Sequence, residues 1–307
     1  MPVIKVNAGH NPPTRLWQQA AELPPGAPIV VMVHGYRYSP SHPNHDPHRH
    51  ILSLNPEPGC ARAFSWPRGL GFGADDDHAN EGLAIAFGWE ARCRFGRAYA
   101  RAGETGAGLA RLVSNLAQTA GRPVALIGHS LGGRVALQAL SHADEGSLSR
   151  LVLLNAAEFR DTAADALCRP AGATAEVLNV TARENDLFDF ALEQIMSRGR
   201  RRALGLGLEQ PARNWVDLQI DDSDTLDGLR ALGFPTDRRA LRLSHWTPYL
   251  RAGLFDFYRA ALCHPWALPL GLLRHNIPHR PEPRWSRLLA APAGLRANSG
   301  QAPLSLP

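Results

Sequence analysis

Residues 125–140, ALIGHSLGGRVALQAL, change backbone geometry within a single turn. Ahead of Gly128 the residues are apolar, with no polar partner alternating between them. Such a run reads as a strand buried on both faces. Behind Ser130, Val135 and Ala139 fall at i, i+4 and Leu137 and Leu140 at i, i+3, the spacing of a packed helix. A strand that passes straight into a helix, both buried, requires neighbours of the same kind. The sequence supplies them. PIVVMV at 28–33, LAIAF at 83–87, Leu151–Leu154 and Glu176–Val180 read as further buried strands. Leu109, Leu112, Val113 and Leu116 mark one face of a helix that Gly121 and Pro123 end, and Leu187 to Met196 is helical in pattern. Strands alternating with helices predict an α/β fold: a mostly parallel central sheet with helices on both faces. Active sites of such sheets lie at the carboxyl ends of the strands.

Composition narrows the class. Hydrophobic residues make up 44% of the 307 and charged residues 20%, which suits a globular chain with a sizeable core. The net charge of +5 comes largely from arginines scattered along the chain, and no aromatic-basic repeat accompanies them, so no nucleic-acid partner is expected. Cys60, Cys93, Cys168 and Cys263 are far apart and form no CxxC pair. The opening MPVIKVNAGHNPP has no apolar signal-like core, and no run of about 18 apolar residues exists. These features predict a cytoplasmic protein with free thiols and no membrane span.

Ser130 lies in G-x-S-x-G, with Gly128 before it and Gly132 after it. A nucleophilic serine needs a tight strand-to-helix turn that lifts its oxygen over the sheet edge, so its neighbours must be small. The helix start also brings unpaired N–H groups to the site. VMVHG followed by ALIGHSLGG resembles the α/β-hydrolase superfamily over about residues 25–260. VMVHGY, FGWEA and GHSLGGRVALQAL are similar to a bacterial serine-hydrolase branch whose substrates are unassigned. The resemblance implies an eight-strand sheet and a Ser–acid–His triad in that chain order. The hydrolase domain is expected over residues 1–263, and the long Pro/Gly-rich stretch 37–82 and the Arg/Gly-rich stretch 197–213 read as lid or cap excursions from it. Residues 264–307 form a Pro/Arg-rich extension, expected to be partly disordered, with one short helix near Trp285 to Ala290.

On that reading Ser130 is the nucleophile, and the oxyanion hole takes the N–H groups of Leu131 and Tyr36. The base is His245, placed after the alternating Leu241 and Leu243 in LRLSHWTPY. His264, His275 and His279 come too late in the chain, and His142 lies several turns along the nucleophile helix. The acid is Asp186, in the loop after Glu176–Val180; Asp189, Glu184 and Glu158 are its competitors. Asn155 occupies the other position from which such folds take an acid, but it is an amide. The expected reaction is cleavage of a carboxylic ester, thioester or amide through an acyl-enzyme. The substrate is a small acyl compound, and no metal or organic cofactor is involved. A non-catalytic binding scaffold and an acyltransferase using the same triad are the alternatives.

Three other features have ordinary readings. In SHPNHDPHRH, Pro43 and Pro47 break any helix that would align His42, His45, His48 and His50 as metal ligands, so a polar excursion beside the oxyanion loop is expected. The basic run Arg200, Arg201 and Arg202 reads as a solvated face. WALPLGLL at 266–273, interrupted by Pro269, is expected to pack against the body.

Overall fold

The computed structural model describes residues 3–58, 62–73, 82–239, 241–278 and 281–289. Seven parallel strands form one sheet: β1 (Ile4–Asn7), β2 (Ile29–Val33), β3 (Leu83–Gly88), β4 (Val124–His129), β5 (Leu148–Leu154), β6 (Glu176–Thr181) and β7 (Trp215–Gln219). Their spatial order is β1-β3-β2-β4-β5-β6-β7. The α/β class with a parallel sheet and helices around it is therefore as expected.

The strands divide two cores between their faces, as a period of two requires. Ile29, Val31 and Val33 of β2 face one side, together with α1 (Phe95–Ala120) and α2 (Leu131–His142). Val30 and Met32 face the other, against α4 (Leu254–Cys263) and α5 (Leu270–Asn276). The helix α3 (Asp186–Ser197) follows β6 at the carboxyl edge.

Strand order reverses at β2: the chain leaves it for β3 on one side, then crosses to β4 on the other. Segments leaving such neighbours diverge, and a crevice opens between the carboxyl ends of β2 and β4. The residues there are His34-Gly35 and His129-Ser130.

Several expectations are revised. Seven strands, not eight, occur among the described residues. The edge strands β1 and β7 carry weak patterns and are not evident in the sequence. Leu241 and Leu243 are both exposed and lie in a loop, so His245 does not follow a strand; the last strand is β7, ending at Gln219. The excursion at 37–82 is packed where it is described, with Ile51, Leu52, Trp66, Leu70 and Phe72 in the second core. Residues 197–213 are tied down by buried Ala203 and Leu204, by a bridge from Ala203 to Phe159, and by Arg201 on Asp161. Cys60, His279, residues 74–81 and residues 290–307 lie outside the described residues. Cys93, Cys168 and Cys263 are free thiols. No helix among the described residues is long and apolar enough to cross a membrane.

The C-terminal extension starts as part of the body. Leu268, Leu270 and Leu273 of WALPLGLL are buried, while Trp266 is exposed. The short helix Ser286–Leu289 lies where one is expected. Because Leu273 fills the second core, Leu273→Ala should cost about 3 kcal/mol. That lowers the thermal midpoint by about 6–12 °C in a scanning calorimeter; an unpacked tail would leave it unchanged.

Candidate active site

Ser130 links β4 to α2 with φ 55° and ψ −122°, a backbone conformation that side chains rarely adopt. Three bonds hold it there. Its N–H donates to Leu154 O at 3.0 Å, and its carbonyl accepts from Gly133 N at 3.0 Å and from Ala157 N at 2.9 Å. The strain is therefore offset by the end of β5.

Two glycines let the neighbouring chain close in. A Cβ on Gly35 would stand 2.8 Å from His129 O and 2.9 Å from the Ser130 Cβ. A Cβ on Gly132 would stand 2.6 Å from His34 O and closer still to Val33 O. The loop after β2 thus lies directly on the elbow. Leu131 opens α2, so its N–H is among the first-turn donors without an intrahelical partner.

His34 holds this loop in place. Its Nδ1–H donates to Gly35 O at 2.9 Å, and its Nε2 accepts from Trp89 N–H at 2.9 Å. The Trp89 indole N–H returns to His34 O at 3.0 Å. Burial lowers the His34 pKa to about 3, so the ring is neutral. The VHG and FGWEA segments are thereby bonded to one another.

His245 and Ser130 line one cavity, of about 750 Å3. The His245 Nδ1–H donates to Asn185 Oδ1 at 2.6 Å. The Asn185 amide is oriented by its other end, where Nδ2–H donates to Asp189 Oδ1 at 3.0 Å. When ionised, Asp189 can only accept, so the amide NH2 faces Asp189 and the amide oxygen faces the histidine. Phe188 stacks on the imidazole at 4.7 Å between centroids. Burial, followed by repulsion from His129, holds the His245 pKa well below its usual value. The ring is a neutral base with Nε2 unprotonated.

The loop bearing His245 is fixed by groups the sequence reading did not assign to it. The His245 carbonyl accepts from His129 Nε2–H at 2.9 Å and from Asn155 Nδ2–H at 3.2 Å. Glu184 accepts from Leu241 N at 2.6 Å, from the Thr247 hydroxyl and from Arg251 at 3.2 Å. Burial lowers the His129 pKa to about 4, so this ring too is a neutral donor.

The expected acid does not reach the histidine. Asp186 is turned toward Arg183, at 3.2 Å, and accepts from Trp285 N at 2.6 Å. The reason is helical phase. Residues 183–185 form a tight turn and α3 begins at Asp186, so successive side chains point about 100° apart. Asn185 takes the face toward His245, Asp186 swings away, and Asp189 returns to that face one turn later. Of the competitors, Glu158 is committed to Tyr99 OH at 2.5 Å and to Arg134, and Glu184 staples the loop. Only Asp189 stands behind the histidine, through Asn185. The i, i+4 pair of Asn185 and Asp189 was the available signal in the sequence.

The histidine-rich loop lines the cavity mouth through His45 and His50. Two of its rings are engaged elsewhere, His48 Nε2 at 2.7 Å from Asn7 Oδ1 and His50 Nδ1 at 2.5 Å from Tyr38 OH, while the His42 and His45 rings meet edge to face at 5.5 Å. Among the described residues no group of three or more His, Cys, Asp or Glu is placed to hold a metal.

No protein-family model and no curated protein matches the chain. Among solved structures it is similar to the product of gene lin2722 from Listeria innocua, at 13% identity and a TM-score of 0.30, over 51% of this chain and 70% of that one. A likeness at that score carries no argument, and the site stands on its own geometry.

Burial, opposed by Arg183, raises the Asp189 pKa to about 7. Between the usual carboxylate pKa near 4 and about 7, the folded protein then holds a proton that the unfolded chain has released. Stability attributable to this group falls as pH rises through that window, by up to about 1.4 kcal/mol per pH unit. Asp189→Asn removes the term. The stability difference between variant and wild type, from urea titrations at several pH values, should change in the variant's favour from pH 4 to 7.

Proposed function

We propose that the protein is a serine hydrolase acting on carboxylic esters, with Ser130 as nucleophile and His245 as base. The observation that carries this reading is the histidine's Nδ1–H on Asn185, which leaves Nε2 free in the cavity that Ser130 enters from its strained turn.

Nε2 of His245 takes the Ser130 proton as Oγ attacks the carbonyl carbon. Charge develops on the carbonyl oxygen and meets the N–H groups of Leu131 and Tyr36. His245 then protonates the leaving alcohol, and water attacks the acyl-enzyme by the reverse path. Asn185 is neutral. It orients the imidazole and selects its tautomer, but adds little charge to stabilise the imidazolium. Asp189, one amide further back, adds that charge only where it is ionised, above a pKa that burial raises to about 7. An asparagine beside a triad histidine normally risks presenting its NH2 and forcing the wrong tautomer. Here Asp189 holds the NH2 and prevents this.

The apolar and aromatic lining, with Tyr36, Phe95, Phe188 and Leu192, suits an acyl group of several carbons.

A fluorescent fluorophosphonate should label the wild type at Ser130, and short p-nitrophenyl esters should be hydrolysed. Ser130→Ala and His245→Ala should lose at least about 10^4-fold in kcat/KM. Asn185→Ala should lose about 10^2-fold or more, whereas Asp186→Asn should stay within about threefold. The reverse ranking would return Asp186 to the acid's role. A folded wild type that neither labels nor turns over would leave a binding scaffold as the better reading.

Because burial holds His245 below 6.5, the acid limb of kcat/KM should also fall below pH 6.5. A limb above that value would show a charged histidine in the free protein.

A further inference from the structure

The helix α3 is inside out. Its three carboxylates, Asp186, Asp189 and Glu193, are all buried, at 1%, 3% and 0% exposure. They are matched from within by Arg183, which faces Asp186, and by Arg284, which reaches Glu193 at 2.7 Å. Outward, the same helix presents Leu187, Phe190, Gln194 and Ile195. A helix packed on a protein body ordinarily does the opposite.

The exposed apolar surface is not scattered. Eight of the eleven large apolar side chains left exposed among the described residues fall on α3, on 241–250 and on 285–289. These segments are joined. Leu241 N and Ser244 N donate to Glu184, just ahead of α3, and Phe190 meets the Trp285 ring at 5.7 Å. The patch runs into the cavity, because Ile195 is 63% exposed and also lines it.

Arginines dominate the charge at this surface, although the exposed Asp237 carboxylate lies beside Arg239. Arg198 and Arg200 follow α3, and Arg239 and Arg242 alternate with the exposed Leu241 and Leu243. Among the described residues none of these four side chains has a carboxylate partner, whereas their neighbours Arg201, Arg202 and Arg238 are paired with Asp161, Glu193 and Asp227. Apolar side chains among unpaired arginines suit the boundary between acyl chains and anionic headgroups. They suit a second copy of this chain less well, because a two-fold contact would bring like charges together.

We propose that the outer face of α3, with Arg239, Leu241, Arg242 and Leu243, docks on an anionic lipid surface and holds the cavity mouth against it. The docking does not depend on turnover; that the cavity then draws acyl esters from the lipid rests on the hydrolase reading above.

The test is flotation of the full chain with vesicles of phosphatidylcholine alone or of phosphatidylcholine with phosphatidylglycerol. Ser130→Ala is run in parallel, so that docking is read apart from hydrolysis. Wild type and Ser130→Ala should both float with the anionic vesicles and be released by high salt. The triple variant Leu187→Ser, Phe190→Ser, Leu243→Ser and the pair Arg239→Glu, Arg242→Glu should each reduce partitioning at least about tenfold. Circular-dichroism melts would establish that the variants are folded, and Arg239→Glu, Arg242→Glu alters no buried group. Wild type that stays unbound, or a folded triple variant that floats equally well, would overturn the proposal. So would a dimer in size-exclusion chromatography that does not float and that Phe190→Ser dissociates, since the face would then be a self-contact.

Discussion

The arrangement of the site depends on one close approach of backbone to backbone. The loop after β2 crosses the elbow after β4 with only Gly35 and Gly132 between them, at distances no Cβ would allow. This contact sits where the strand order reverses, so it brings together two segments that are 95 residues apart in the chain (130−35). Ser130 is held in its strained conformation by bonds to β5, and the loop opposite it by His34 and Trp89. A rigid frame of this kind lets a reactive side chain keep an unfavourable backbone geometry, because neighbouring structure over-determines it. The crevice between the diverging segments becomes the cavity.

The second constraint is electrostatic. Around α3 the protein buries four carboxylates, those of Glu184, Asp186, Asp189 and Glu193, together with Arg183 and Arg251. Each charge is costly away from water unless it is paired or hydrogen-bonded. Glu184 draws in the histidine loop, Asp186 draws in the C-terminal segment through Trp285, and Glu193 draws in Arg284. Asp189 is the least satisfied: one oxygen meets Asn185, the other has no hydrogen-bond partner, and its pKa rises to about 7. The same inward turn of the carboxylates leaves the outer face of α3 apolar.

Much of the scaffold was legible from composition and period. The buried strands of the middle of the sheet announce themselves as unbroken apolar runs, since both faces are covered. Edge strands β1 and β7 do not, because an edge needs less apolar surface and alternates with polar residues such as Lys5 and Asp217. The alternation of Leu241 and Leu243 predicts a strand ahead of His245, and none forms there. Those leucines are outward-facing residues of a loop, and the histidine reaches the site because Glu184, His129 and Asn155 hold that loop.

By itself the sequence determined the α/β class, the strand-to-helix turn at Ser130 and the glycines that the turn needs, because these follow from local spacing and from the size of side chains. It did not determine which residue faces His245. Asn185, Asp186 and Asp189 are chemically plausible neighbours within five positions, and a one-residue change in where α3 begins rotates each of them by about 100°. Only the tertiary structure set that phase. It did so because buried Arg183 and the backbone N–H of Trp285 claimed Asp186, leaving an amide at the histidine and a carboxylate one turn behind it.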